Sequence, residues 1–209
     1  MADEFHKPTH FAGDRFDAFK GGEDPATISR TAHETAHALL ARVRTDPDPG
    51  VVDRLVAFTD EHGIDAMAEL WARSTPRSLP GALWRIYLVR VLIRQDPEGI
   101  AYLYQRGSEV AVSIDPLVAG ATAPTGPAEI IELADQILRG LYTGDFAVAL
   151  DRAAAFCRVT ASGCASLADD LDHTEPERSS TLTTQALRFS TTAQEFASCA
   201  RLWRHDSLE

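Results

Sequence analysis

The sequence predicts an all-α protein: an irregular bundle of about six to eight helices around a central apolar helix at residues 83–95, preceded by an extended N-terminal arm. Two observations predict this fold class. No segment sustains the alternation of polar and apolar residues that a half-buried strand requires. Helix-capping residues instead precede the apolar runs, and several pairs of aspartate and proline mark helix starts.

Start and stop signals place the first helices. Asp24 and Pro25 begin a helix that the TDPDPG segment ends after Thr45. Two shorter helices, separated by a glycine, are predicted at residues 50–62 and 64–73.

The central helix begins after Ser78 and ends before Asp96. It is apolar nearly all round, and such a helix is usually buried in the middle of a fold. Asp96 and Pro97 then begin a shorter helix that ends at Gly107.

A segment rich in glycine and proline, residues 115–127, is the clearest break in the chain. Residues 25–207 therefore form one helical domain or two lobes, 25–114 and 128–207, joined by this segment. The final Leu208-Glu209 is interpreted as the remnant of an expression tag and is set aside.

Helices are predicted at residues 128–141, 145–171 and 180–204, with an interruption of the second at Gly163. In the last helix, seven residues spaced by four and three positions form one seam in which alanines alternate with larger side chains. We expect the alanine-rich helix 145–171 to pack antiparallel against this seam; the alternative is a dimerisation seam. The seam residues are Leu182, Ala186, Phe189, Ala193, Phe196, Ala200 and Trp203.

The charge of the chain limits its partners. It has 20 basic and 31 acidic residues among 209, a formal net charge of −11. Nucleic acids and anionic membranes require a basic face, so we expect neither as a partner. Three cysteines are too few and odd in number for a disulfide framework, which favours a reducing compartment. The N-terminus lacks the apolar core of a signal peptide, and arginines interrupt the longest apolar stretch, so we expect a cytoplasmic protein without a membrane span.

The string HETAH at residues 33–37 matches the HExxH motif of zinc hydrolases. In this alternative His33 and His37 bind zinc, Glu34 activates the metal-bound water, and Glu61 is the third protein ligand. The helical wheel argues against it: at about 100° per residue, the histidines lie on the flank of the apolar face and Glu34 points away from it. The leading interpretation is a surface helix with two histidines and no cofactor.

Arg90 and Arg94 lie on one side of the central helix and indicate a second alternative, a small-molecule binder between helices. In that alternative the two guanidinium groups hold a carboxylate or a phosphate. Arginines more often pair with acidic residues of neighbouring helices, and this chain offers 31 of them.

Residues 1–24, the N-terminal arm, are polar yet contain four of the nine phenylalanines. A solvated tail rarely carries so much apolar area, since burying each ring contributes roughly 1.5–3 kcal/mol. We expect the arm to lie across its own domain or to bind a partner protein or a second copy, so that monomer and homodimer both remain open. The four rings are Phe5, Phe11, Phe16 and Phe19.

Two segments, LPGALWRIYLVRVLIRQDPE at residues 79–98 and GDFAVALDRAAAFCRV at 144–159, are joined by a linker that contains GATAPTGP. Together they resemble a family of small conserved helical proteins from high-GC Gram-positive bacteria, over most of residues 25–165. The resemblance implies an all-helical fold and a bacterial origin, and it implies no activity or catalytic residue. Some members are labelled RNA polymerase β-subunit-like, which neither the length nor the motifs of this chain support.

These observations together favour a non-enzymatic protein-interaction or regulatory module. No catalytic constellation is convincing, whereas the phenylalanine-rich arm and the acidic composition both point to a protein partner. An acidic surface speeds encounter with basic partners in a salt-dependent way.

Overall fold

The computed structural model describes residues 24–46, 48, 50–54, 57, 70–123 and 125–209. All regular structure within these residues is helical, which confirms the predicted fold class. The arm and most of the helices predicted at 50–62 and 64–73 lie outside the described residues. The helices are α1 (Pro25–Thr45), α2 (Leu79–Gln95), α3 (Pro97–Val110), α4 (Asp115–Ala119), α5 (Pro127–Thr143), α6 (Phe146–Leu171) and α7 (Pro176–Arg204).

Short-range hydrogen bonds explain why several helices begin where the sequence predicts. The carboxylate of Asp24 accepts a hydrogen bond from the amide of Ala26 (3.1 Å), and that of Asp145 accepts one from the amide of Ala147 (2.8 Å). Each of these bonds satisfies an amide that has no partner within its own helix. Proline has no amide hydrogen, so a proline in the first turn of α1, α2 and α3 leaves no backbone donor without a partner there.

The structure corrects several details of the predicted helices. α3 continues past Gly107, its predicted end, to Val110. The break at residues 115–127 contains one short helix, α4, which ends at Gly120 in a left-handed conformation (φ 77°). α7 begins at Pro176, four residues before the predicted start, because proline is favoured in the first turn of a helix. α6 runs without interruption through Gly163.

Gly163 stays helical because its missing side chain lets α3 cross α6 closely. A Cβ atom on Gly163 would lie 1.8 Å from the carbonyl oxygen of Leu103, and one on Gly107 would lie 1.9 Å from that of Val159. The two glycines therefore face each other at the crossing. The packing gain at this contact offsets the cost of about 1 kcal/mol for a glycine inside a helix.

α6 and α7 form the antiparallel core pair that the sequence predicted. The short connection between them reverses the chain, and the two helices pack along their length. The ring of Phe156 on α6 meets that of Phe189 on α7 edge to face, with centroids 6.4 Å apart. Five of the seven seam residues are buried: Leu182, Phe189, Ala193, Phe196 and Ala200.

α2 and α6 share the interior of the bundle. α6 packs against α3, α4, α5 and α7, whereas α2 packs against α1, α3, α5 and α7. The chain end covers the start of α2: the amide of Leu79 donates to the carbonyl of Glu209 (2.6 Å), and the side chain of Leu208 is buried. The two residues set aside as a tag remnant thus take part in the fold. Within the described residues, no helix combines the length and the apolar character needed to span a bilayer.

Candidate functional site

α1 places the HETAH string on the outer side of the bundle. Ala32, just before the string, and Ala36 within it are buried, whereas Glu34 and His37 are exposed. His33 is half-buried, and its Nδ1 lies 2.7 Å from the carbonyl oxygen of Ser29. The helical-wheel prediction that Glu34 points away from the buried face is confirmed.

The zinc-hydrolase alternative gains no further ligand from the structure. Glu61, its third protein ligand, lies outside the described residues. In the part of the chain that the structure describes, no three histidine, cysteine, aspartate or glutamate side chains group as a metal site. The zinc alternative therefore stays a prediction.

Arg90 and Arg94 reach a carboxylate of the chain itself. Arg90 Nε donates to Asp135 Oδ1 on α5 at 2.8 Å, and Arg94 Nη1 lies 3.6 Å from the same oxygen. Because Arg90 is buried, its ion pair with Asp135 offsets part of the cost of taking the guanidinium charge out of water. These contacts are the pairing with a neighbouring helix that arginines usually make, and binding of an external anion by the two residues stays a prediction.

An apolar groove of about 500 Å³ lies between α2 and α7. It is lined by Arg85 rather than by Arg90 or Arg94, and Arg85 Nε donates to Glu195 Oε2 at 2.5 Å. Its apolar lining includes Leu88 and Phe189. The groove therefore adds no support to a small-molecule site at the predicted arginines.

The segment that connects α3 to α4 exposes several aliphatic side chains, a feature that the sequence reasoning missed. Val112 is fully exposed, Ile114 is 72% exposed and Leu117 is 82% exposed. Val110, the last residue of α3, is 47% exposed, so four aliphatic side chains face solvent within one short stretch of chain. We call these four residues the aliphatic strip. The segment VAVSIDPLV shows that apolar residues are concentrated here, but only the fold shows that they are left uncovered.

Two anchors hold the aliphatic strip on α6. Asp115 Oδ1 accepts hydrogen bonds from Arg158 Nε (2.9 Å) and Nη2 (2.6 Å), and Arg152 Nε donates to the carbonyl of Ala119 (3.2 Å). The Arg158 guanidinium holds the pKa of the Asp115 carboxyl below its ordinary value, and a hydrogen bond from Ser113 acts in the same direction. The segment is thereby held in place while its aliphatic side chains stay exposed.

An acidic turn lies beside the end of α3. Arg106, one helical turn before Val110, donates to Ser166 Oγ (3.1 Å) and to the carboxylate of Asp170. This contact places the end of α3 near the connection between α6 and α7. The acidic turn comprises the exposed residues Asp169, Asp170, Asp172, Glu175 and Glu177.

The cysteines are unsuited to nucleophilic chemistry. All three are free and buried. Burial raises the pKa of Cys157 to about 12 and those of Cys164 and Cys199 to about 11. The thiolate, which is the reactive form, is therefore scarce at neutral pH.

The four arm residues predicted to bind a partner lie outside the described residues, so this role stays a prediction; they are Phe5, Phe11, Phe16 and Phe19. Comparisons with protein-family models, curated proteins and solved structures found no match. The resemblance to the bacterial helical family thus stays a prediction, and function has to be inferred from the residues of this chain.

Proposed function

We propose that this protein is a non-enzymatic interaction module that binds a partner protein through the aliphatic strip. The exposure of Val112, Ile114 and Leu117 is the observation that supports this function. Burying one such side chain contributes about 1.5–3 kcal/mol, so several together provide the core of an interface. The strip residues lie close together in the chain, and concentrated exposed apolar surface on a folded protein commonly marks an interaction site.

The strip is also prepared for binding. The bonds from Arg158 to Asp115 and from Arg152 to Ala119 fix the segment before a partner arrives. A partner then loses less free energy to the ordering of the segment than it would with a free loop.

The acidic character of the chain indicates the chemistry of the partner. The acidic turn lies near the end of α3, and the whole chain has a net charge of −11. We infer a partner surface that joins apolar side chains with lysine or arginine. Such charge complementarity raises the association rate at low salt, and the effect weakens as salt screens it.

The partner can be captured in cells of the natural host by placing a photo-cross-linking amino acid at position 117, with the same amino acid at position 148 as the matched control. Val148 is also an exposed aliphatic residue, but it lies on α6 outside the strip. We expect a basic protein to be captured from position 117 and not from position 148.

Binding is then measured by calorimetry with both proteins purified. The triple variant Val112→Ser, Ile114→Ser and Leu117→Ser should weaken binding by about 100-fold or more, and Val148→Ser by less than about threefold. Equal binding of the triple variant and the wild type would refute the proposal. Capture of a second copy of this chain would show that the strip forms a homodimer interface instead of binding a different protein.

A further inference from the structure

A second concave surface lies along the α6/α7 pair and borders the strip segment at Asp115, without Val112, Ile114 or Leu117 in its lining. It is a groove of about 720 Å³, which we call the α6/α7 groove. The groove exists because the facing positions carry small side chains, so the helices meet over a floor that no large residue fills. Its small lining residues include Ala161, Ala165, Ser190, Ala193 and Ala197.

Three arginines from separate parts of the chain line this groove: Arg77 before α2, Arg158 on α6 and Arg201 on α7. Arg158 is already neutralised by its two hydrogen bonds to Asp115, whose carboxylate also lines the groove. The Arg158–Asp115 pair therefore adds little net charge to the site.

Arg77 and Arg201 differ from the ion-paired arginines of the bundle. Neither has a carboxylate within ion-pair distance among the residues that the structure describes, although the chain has 31 acidic residues. The hydrogen bond given by Arg201 Nη2 goes to Ser198 Oγ, at 3.0 Å. The groove thus has two positive charges that no described acidic side chain balances.

The backbone beside Arg77 is tied to α7. The thiol of the buried Cys199 donates to the carbonyl of Pro76 at 3.4 Å, next to Arg77 in the chain. Arg201 follows Cys199 by two residues on the same helix. The two guanidinium groups are therefore carried by segments that this bond holds together at the groove.

We propose that the α6/α7 groove binds a small anionic metabolite that has a phosphate or carboxylate group and further hydroxyl groups. Arg77 and Arg201 hold the anionic group, since guanidinium groups recognise phosphate and carboxylate by charge-assisted hydrogen bonds. Ser190, Gln194 and Ser198 line the same groove and offer hydroxyl and amide groups to the rest of the ligand. The groove volume of about 720 Å³ lies within the usual range of small-molecule sites.

Calorimetric titration of the full chain in low-salt buffer tests this site with three probes: inorganic phosphate, succinate and glucose 6-phosphate. We expect saturable binding of at least one probe at one site per chain, weakening as salt is added. Preference for glucose 6-phosphate over inorganic phosphate would show that the hydroxyl groups contribute, and preference for succinate would identify the carboxylate class.

Arg77→Gln and Arg201→Gln should each weaken binding by about tenfold or more, because each removes a charge-assisted contact. Arg188→Gln is the matched control: it removes the same charge from an exposed position on α7 that lines the other groove. Absence of saturable binding for all three probes at about 10 mM, or an equal loss in the Arg188 variant, would refute the site. The triple variant of the aliphatic strip should retain probe binding, so this test and that of the proposed function fail separately.

Discussion

Replacing Gly163 with alanine should separate α3 from α6, because the crossing has no room for a methyl group. The new Cβ atom would lie 1.8 Å from the carbonyl oxygen of Leu103, whereas ordinary contacts begin at 3.4 Å. The two backbones would have to part by about 1.6 Å, and a gap of even 0.5–1 Å loses roughly a quarter to a half of the dispersion energy of the facing atoms. The stacked rings of Tyr104 and Phe156, with centroids 5.7 Å apart, span the same interface.

We expect the Gly163→Ala variant to lose about 2–3 kcal/mol of its free energy of unfolding. Overpacking typically costs about 1–3 kcal/mol and occasionally more, and here the obstacle is a backbone carbonyl rather than a flexible side chain, so the cost is about 3–4 kcal/mol. The higher helix propensity of alanine returns at most about 1 kcal/mol. For a chain of this length, the loss corresponds to a melting temperature lower by about 5–10 °C, measured by circular dichroism and checked by urea denaturation.

Gly140→Ala is the matched control. Gly140 also lies inside a helix, α5, but a Cβ atom there would meet only the Cβ of Ala149, at 3.3 Å. Since a shift of a tenth of an ångström relieves this contact and alanine favours the helix, this variant should change the free energy of unfolding by less than about 1 kcal/mol. If Gly163→Ala proved as stable as Gly140→Ala, the close crossing of α3 and α6 would be wrong.

Two further predictions concern the Asp115 anchor and the HETAH string. Asp115→Asn should lower the free energy of unfolding by about 1–2 kcal/mol at pH 7, since it removes a charged acceptor of Arg158. Because the pKa of Asp115 is lowered in the folded state, this stabilisation is present above about pH 4 and is lost as the pH falls through the lowered pKa. Urea denaturation at several pH values should therefore show that the difference in free energy of unfolding from the wild type shrinks on acidification. The control Asp53→Asn, at the more exposed pair with Arg139, should cost less than about 0.5 kcal/mol. A loss for Asp115→Asn that did not change with pH would contradict this account. For the HETAH string, elemental analysis after incubation with zinc should find far less than one zinc per chain, since no third metal-ligating side chain groups with His33 and His37 among the described residues. Stoichiometric zinc that disappears in His33→Ala would revive the hydrolase alternative.

Local signals in the sequence were enough for much of the fold. The starts of α1 and α6 are determined by Asp24 and Asp145, whose side chains bond to amides two residues away. The alternating alanines and larger side chains of α7 likewise predicted its pairing with α6. Such features depend on spacing along one helix, which a sequence displays directly.

The candidate sites depended on contacts between distant residues. In the sequence, Arg90, Arg158 and Arg77 are similar positive charges. Only the packing of the helices pairs Arg90 with Asp135 and Arg158 with Asp115. Arg77 has no carboxylate within ion-pair distance among the described residues. The aliphatic strip was missed for a related reason, because hydropathy records how apolar a segment is and not whether another helix covers it.

By itself, the sequence determined the helical fold class, most helix starts and the buried face of α1, because capping and periodicity act within a few residues. The tertiary structure decided that Gly163 lets α3 cross α6 closely instead of interrupting α6, and that Val112 and Leu117 stay exposed. It also decided which arginines meet a carboxylate. These outcomes depend on which surfaces meet when helices far apart in the chain pack together, and that is settled by the shape and charge of the whole bundle.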